Sequence, residues 1–199
     1  MKSVCQRLVL IVVPALVAGA PLDSIDATAK ATWKPDSSDS VPPPGQSWAV
    51  IGELEGIKGK VVKYNTKLFR GGPIVSDAGG ESLKKLGVKT IITIAPARKE
   101  REIARRAGLE LVEIPFGNDR PVPDDLIDFF TKTVQEKQGP FYVHCTPPGH
   151  RSGVLLAEYR VRTEKWTCER AVLEFKDLGG DTKAAKEMLK PLLGPPETE

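Results

Sequence analysis

The sequence predicts an α/β domain with a mostly parallel central sheet flanked by helices on both faces. Three observations predict it: short β-branched apolar runs alternate with helical segments, the connections are short, and glycines stand where helices end. Strands that alternate with helices pair in parallel, because each helix crosses over the sheet. Binding sites in such sheets form beyond the carboxyl ends of the strands.

The predicted elements follow one another in a regular order. Two short strands at 60–64 and 68–70 form a hairpin. Buried strands, rich in β-branched and apolar residues, follow at 89–94, 109–116 and 140–144. Helices are predicted at 76–86, 99–107, 123–138, 152–163, 169–177 and 183–189. Gly87 and Gly108 end the first two helices, and Thr167 caps the fifth.

The N-terminal segment has the pattern of an exported protein. Lys2 and Arg7 precede an apolar run at 8–20, which is shorter than a membrane span. We therefore expect a periplasmic or secreted protein, with an uncleaved membrane anchor as the alternative. The Pro- and Ser-rich stretch that follows favours extended, disordered chain. The chain is thus divided into a signal peptide at 1–29, a linker at 30–47, a folded domain at 48–190 and a tail at 191–199.

Net charge and cysteine content argue against a nucleic-acid partner, a disulfide and a metal site. The net charge of +3 is too small to indicate a nucleic-acid partner. A disulfide between Cys145 and Cys168 is not expected, because the helix between them spans about 18 Å. The sequence has no CxxC motif and two histidines, so no metal and no cofactor are expected.

One segment has the composition of an anion-binding loop. Residues 144–152 read His-Cys-Thr-Pro-Pro-Gly-His-Arg-Ser and join the last buried strand to a helix N-terminus. Free backbone N–H groups and the helix dipole attract an anion there, and the same positive field stabilises a thiolate at Cys145. Arg151 can grip two phosphate oxygens with its planar guanidinium. Ser152 can donate a hydrogen bond to the sulfur, and His144 can orient the loop.

The remaining loop residues are expected to contact the phosphate. Thr146, Gly149 and His150 are the candidates beside Arg151. Pro147 and Pro148 have no backbone N–H, so two donors of the loop are missing. His150 is expected to compensate partly as an added donor.

A thiolate in such a loop can attack phosphorus, form a phosphocysteine and release it to water. The leaving oxygen then needs a proton, which a nearby carboxylic acid can supply. Asp119 follows the carboxyl end of the preceding strand and lies 26 residues before Cys145 (145 − 119). Asp124 is the second candidate for the general acid.

The pattern H-C-x5-R-S at 144–152 resembles the signature of cysteine-dependent protein phosphatases of the dual-specificity and tyrosine-specific kinds. Residues 68–73 (Leu-Phe-Arg-Gly-Gly-Pro) also resemble the first part of small members, and the likeness covers roughly 61–180. The resemblance implies that fold, with Cys145 as nucleophile, Arg151 as phosphate clamp, Ser152 as thiolate partner and Asp119 as general acid. The chain departs from the family at Pro148, where members have glycine.

The sequence therefore indicates a phosphomonoester hydrolase that acts on a phosphorylated protein or a small phosphorylated ligand. Membrane contact is expected only if the N-terminal segment stays uncleaved. Two alternatives stay open: an inactive relative that binds phosphorylated ligands or a protein partner, and a rhodanese-like sulfur transferase. Arg70 is expected to be a surface or strand-end charge without a role.

Overall fold

A computed structural model of the chain describes residues 48–146 and 150–194. The strands are β1 (Ala49–Glu53), β2 (Lys60–Lys63), β3 (Leu68–Gly71), β4 (Thr90–Thr93), β5 (Glu110–Glu113) and β6 (Phe141–His144). The helices are α1 (Asp77–Lys85), α2 (Arg98–Ala107), α3 (Asp124–Glu136), α4 (Arg151–Thr163), α5 (Cys168–Asp177) and α6 (Lys186–Leu193).

The strands form one mixed sheet in the order β1-β2-β3-β6-β4-β5. β3, β6, β4 and β5 are parallel, while β2 is antiparallel to both β1 and β3. The turn between β2 and β3 is closed by Asn65, whose side-chain oxygen accepts hydrogen bonds from the N–H groups of Lys67 and Leu68, each 2.8 Å long. The carboxyl ends of the four parallel strands therefore meet at one edge of the sheet.

Helices cover both faces of the sheet because successive strand residues point to opposite sides. In β4, Ile91 packs with α1 and α2, whereas Ile92 packs with the cluster under α3 to α6. Gly80 lies where α1 crosses α2, and a Cβ there would stand 2.9 Å from the Cβ of Ala107. The predicted α/β architecture with helices on both faces is confirmed.

The structure differs from the predictions at the two ends of the domain. β1 was not predicted, and it adds an antiparallel edge strand to the predicted hairpin. α6 begins at Lys186 and continues to Leu193, with Leu192 buried, whereas the predicted last helix covers 183–189. Thr167 caps α5 as predicted, because its hydroxyl accepts a hydrogen bond from the N–H of Arg170.

The predicted signal peptide and linker, residues 1–47, lie outside the described residues. Among the helices of 48–146 and 150–194, none has the length and apolar character needed to cross a membrane.

Candidate active site

The predicted nucleophile lies at the carboxyl edge of the sheet, between β6 and α4. The Sγ of Cys145 is 3.4 Å from the Oγ of Ser152 and 3.5 Å from the N–H nitrogen of the same residue. Ser152 belongs to the first turn of α4, so the sulfur faces the positive end of that helix. Cys145 is fully buried and is not part of a disulfide, so the prediction that Cys145 and Cys168 are not bridged is confirmed.

The guanidinium of Arg151 is held by backbone carbonyls at the ends of three parallel strands. It donates to Phe116 O at 3.0 Å, to Thr146 O at 2.9 Å and to Ile94 O at 3.4 Å. A guanidinium has five N–H donors, so Nε and one proton of Nη2 form no hydrogen bond with the described residues and can bind a ligand. Because Thr146 directly follows Cys145, the guanidinium and the thiol occupy the same corner of the sheet.

His144 and Cys145 are neighbours in the chain but their side chains lie on opposite faces of the sheet. The Nε2 of His144 is 2.6 Å from the Oε1 of Glu100 in α2, and both side chains are buried. The pair is close enough for an ion pair but not aligned as a hydrogen bond. The imidazole therefore faces α2, so any influence on the loop passes through the His144 backbone, whose carbonyl accepts from Ile94 N–H at 3.0 Å. The sequence did not indicate Glu100.

The two candidate general acids have different surroundings. Asp119 is exposed in the loop that follows β5, three residues after Phe116, whose carbonyl binds Arg151. Asp124, at the start of α3, forms an ion pair with Arg162. Arg162 lies eleven residues beyond Arg151 along α4, which corresponds to about 16 Å. Asp124 is therefore held away from the loop, and Asp119 is the candidate whose own loop contacts Arg151 through the Phe116 carbonyl.

The other predicted phosphate contacts lie at the two ends of the loop. Thr146 is exposed and His150 is half-buried just before α4, while Gly149 and the two prolines lie outside the described residues. Hydrogen bonds from the N–H groups of Ala184 and Lys183 lower the pKa of Asp181, and the proximity of His150 adds a smaller lowering. The segment that follows α5 therefore flanks the loop.

The expectation that Arg70 is a surface or strand-end charge is wrong. Its side chain is only 3% exposed and lies under the start of α4. A Cβ at Gly153 would stand 3.1 Å from its Nη2 and 2.8 Å from the ring of Phe175. The sequence contained one indication that Arg70 is buried, which is that it is the one charged residue in an otherwise apolar strand.

The position of Cys145, Arg151 and Ser152 around the start of α4 is consistent with the family that the sequence matches. Residues 46–189 match the family model described as a DSP-PTPase phosphatase fused to NAD+ kinase. The chain belongs to this family. It is thus a member of the cysteine-dependent tyrosine and dual-specificity phosphatase superfamily, as the resemblance of the 144–152 signature implied.

Two curated relatives belong to the same superfamily. The dual specificity protein phosphatase TpbA of Pseudomonas aeruginosa is 27% identical over 99 residues, which are 49% of this chain and 44% of that protein. Protein tyrosine phosphatase type IVA 2 of Mus musculus is 29% identical over 82 residues, 39% of this chain and 49% of that protein. The matched region is thus about half the length of each relative.

A crystal structure of P. aeruginosa TpbA has the same fold as this family member. It superposes with a TM-score of 0.61 at 21% identity and covers 73% of this chain and 91% of that chain. At this identity the likeness concerns the fold.

Proposed function

We propose that this family member hydrolyses phosphomonoesters through a phosphocysteine formed on Cys145. One observation carries the proposal: the Cys145 sulfur faces the first turn of α4, with the Ser152 hydroxyl 3.4 Å away and Arg151 at the same strand ends. Such a corner offers a nucleophile, a positive field and a cation to one oxyanion. The family match also favours the phosphatase over the rhodanese alternative.

The proposed reaction has two steps. In the first, the Cys145 thiolate forms a bond to phosphorus while the ester P–O bond breaks, and Asp119 gives its proton to the leaving oxygen. In the second, Asp119 takes a proton from water, the water oxygen bonds to phosphorus and the P–S bond breaks. Ser152 donates a hydrogen bond to the sulfur as negative charge returns to it. The free N–H donors of Arg151 bind the phosphoryl oxygens in both steps.

The proposed substrates are phosphotyrosine or phosphoserine and phosphothreonine residues of proteins, or a small phosphorylated molecule. The names of the relatives support a protein substrate, and a TpbA structure was solved in complex with pTyr. An aryl phosphate is the suitable first probe, because it needs little help from the general acid.

The decisive experiment compares wild-type protein with Cys145→Ser. Wild-type protein should release phosphate from an aryl phosphate, and the variant should release none above background. Because Cys145 is buried, its accessibility should be measured as well: vanadate should protect the thiol from alkylation by iodoacetate. Phosphate release that persists in Cys145→Ser would exclude the mechanism.

A second candidate function is phosphate binding without turnover. Pro147 and Pro148 favour it, because neither residue offers a backbone N–H to the phosphate. This candidate predicts that tungstate binds with no measurable hydrolysis, and that Pro148→Gly raises activity. Rapid hydrolysis by wild-type protein would reject it.

Export is a separate part of the proposal. The basic residues and the apolar run of 1–29 support cleavage of a signal peptide. Expression of the full chain in a bacterial host, followed by fractionation and intact-mass measurement, should give a periplasmic product that lacks this segment. Cytoplasmic protein of full mass would contradict export, and full-length protein in the membrane fraction would favour the anchor.

A further inference from the structure

A pocket of about 420 Å³ lies beside the candidate active site, on the face of the sheet that also carries Cys145. Its floor includes Val62 and Arg70, which are cross-strand partners on β2 and β3. Its far wall is the segment 177–179 at the end of α5, and Lys60 stands at its rim. The pocket extends from the middle of the sheet toward the β1 edge.

Arg70 is a buried cation in the pocket floor, and no carboxylate of the described residues pairs with it. Within residues 48–146 and 150–194 it forms no ion pair, and its one hydrogen bond goes to the hydroxyl of Tyr64 at 3.1 Å. Its Nη2 also lies close to Gly153, in the first turn of α4, where the helix dipole disfavours a positive charge. Placing a cation in such surroundings is costly unless an anion reaches it.

The residues of the pocket wall add a second positive charge to that of Arg70. Lys60 is exposed at the rim and contributes a second cation. Asp177 is the one acidic residue among the lining residues, and it forms no ion pair with Arg70 within the part of the chain that the structure describes. The net charge of the lining side chains is therefore +1, from two cations and one anion.

The pocket and the Cys145 loop are adjacent. Arg70 pairs in register with Val143, and Cys145 lies two residues further along on the same face. With the usual strand separation and rise, the Cα atoms of Arg70 and Cys145 are about 8 Å apart. Moreover, the segment at the end of α5 forms the pocket wall at 177–179 and continues to Asp181, which lies near His150 of the loop. The pocket and the Cys145 loop are therefore close enough to bind two parts of one small molecule.

We propose that this pocket is a second anion subsite, built by Arg70 and Lys60, that binds another phosphoryl group of the substrate. The inference rests on the proposed function, since it assigns the substrate class of the same site: small organic molecules that carry two phosphoryl groups. The phosphate on Cys145 is hydrolysed, and the second phosphate is bound by the planar guanidinium of Arg70.

The test measures binding separately from turnover. Straight-chain alkanediol bisphosphates of increasing length, and the matched monophosphates, are titrated calorimetrically into the full chain carrying Cys145→Ser. The bisphosphate of best-matched length should bind about tenfold more tightly than its monophosphate, since it gains charge-assisted hydrogen bonds. This advantage should peak at one length and fall for shorter and longer chains.

Substitutions in the pocket test whether its residues cause the tighter binding of the bisphosphate. Arg70→Gln should reduce it to less than about twofold, Lys60→Gln should reduce it severalfold, and Arg70→Lys should restore part of it. Lys63→Gln is the matched control, because Lys63 is on the same strand as Lys60 but does not line the pocket. If Arg70→Gln fails to fold in a thermal melt, Lys60→Gln and the length dependence still decide.

The outcomes separate the inference from the proposed function. Bisphosphates that bind no more tightly than monophosphates at any length would overturn the subsite, and so would an advantage that both Gln variants at 60 and 70 retain. Wild-type protein that binds bisphosphates preferentially but hydrolyses neither class would support the subsite and reject the phosphatase mechanism. Wild-type protein that hydrolyses monophosphates but binds bisphosphates no more tightly would support the phosphatase mechanism and reject the subsite.

Discussion

Replacement of Ser152 by alanine should turn the second half of the proposed reaction into the slow step. The Ser152 hydroxyl is 3.4 Å from the Cys145 sulfur and both residues have no exposed surface, so no water replaces the lost donor. The hydrogen bond matters most when the P–S bond breaks, because the sulfur then regains its negative charge. In the first step the sulfur loses its charge, so removal of the donor should not slow phosphocysteine formation.

The size of the effect follows from the energy of one buried hydrogen bond to a charged group. Such a bond contributes about 1.5–3 kcal/mol. At about 1.36 kcal/mol per factor of ten, this corresponds to a decrease of roughly 10- to 150-fold in the rate of phosphocysteine hydrolysis. Sulfur accepts hydrogen bonds weakly in its neutral state, so the stabilisation is concentrated in the charged state.

Stopped-flow measurements with an aryl phosphate provide the assay. Ser152→Ala should release nearly one equivalent of phenol per enzyme in a rapid burst, followed by a slow steady state. Wild-type protein measured alongside is the control, and a thermal melt shows whether the variant remains folded. The reasoning is refuted if the steady-state rate changes less than about twofold, or if the burst phase slows as much as the steady state.

Three further predictions concern other residues of the domain. Asp119→Asn should lower kcat for alkyl phosphates by about 100-fold or more, whereas Asp124→Asn should change it less than about threefold; equal losses would contradict the assignment of the acid. Burial raises the pKa of Glu158 above 4.5, so the free energy of unfolding of wild-type protein should fall as pH rises from 4.5 through that raised pKa. In urea titrations across this range, the free energy of unfolding of Glu158→Gln should fall less. Arg160→Met removes the bidentate partner of the buried Glu174 and should cost about 3–5 kcal/mol in free energy of unfolding; a loss below about 1 kcal/mol would show that the pair contributes little.

Much of the fold could be predicted because its elements carry strong local signals. β4 and β6 are apolar runs of strand length, and α4 follows directly from the loop signature. β1 was missed because it is a half-buried edge strand with Gly52 at a register irregularity, which hides its alternation. α6 was placed too early because Pro191 stands in its last turn, where sequence reasoning expects a helix to have ended.

The candidate site was predictable only where its residues are contiguous in the chain. Cys145, Arg151 and Ser152 lie within eight residues, so the loop was evident from the sequence. The contact of His144 with Glu100 joins residues 44 positions apart and depends on which face of the sheet α2 covers (144 − 100). The burial of Arg70 likewise depends on how close α4 and α5 come to β3, which no local pattern reports.

The carbonyl contacts of Arg151 affect how this protein can be inactivated for study. Its guanidinium fastens the ends of β4, β5 and β6 through Ile94, Phe116 and Thr146. Removing it would loosen the corner of the sheet at the same time as it removes the ligand for phosphate. Inactivity of an Arg151 variant would therefore mix a chemical defect with an architectural one, and a substrate-trapping form of the protein is better made at the sulfur.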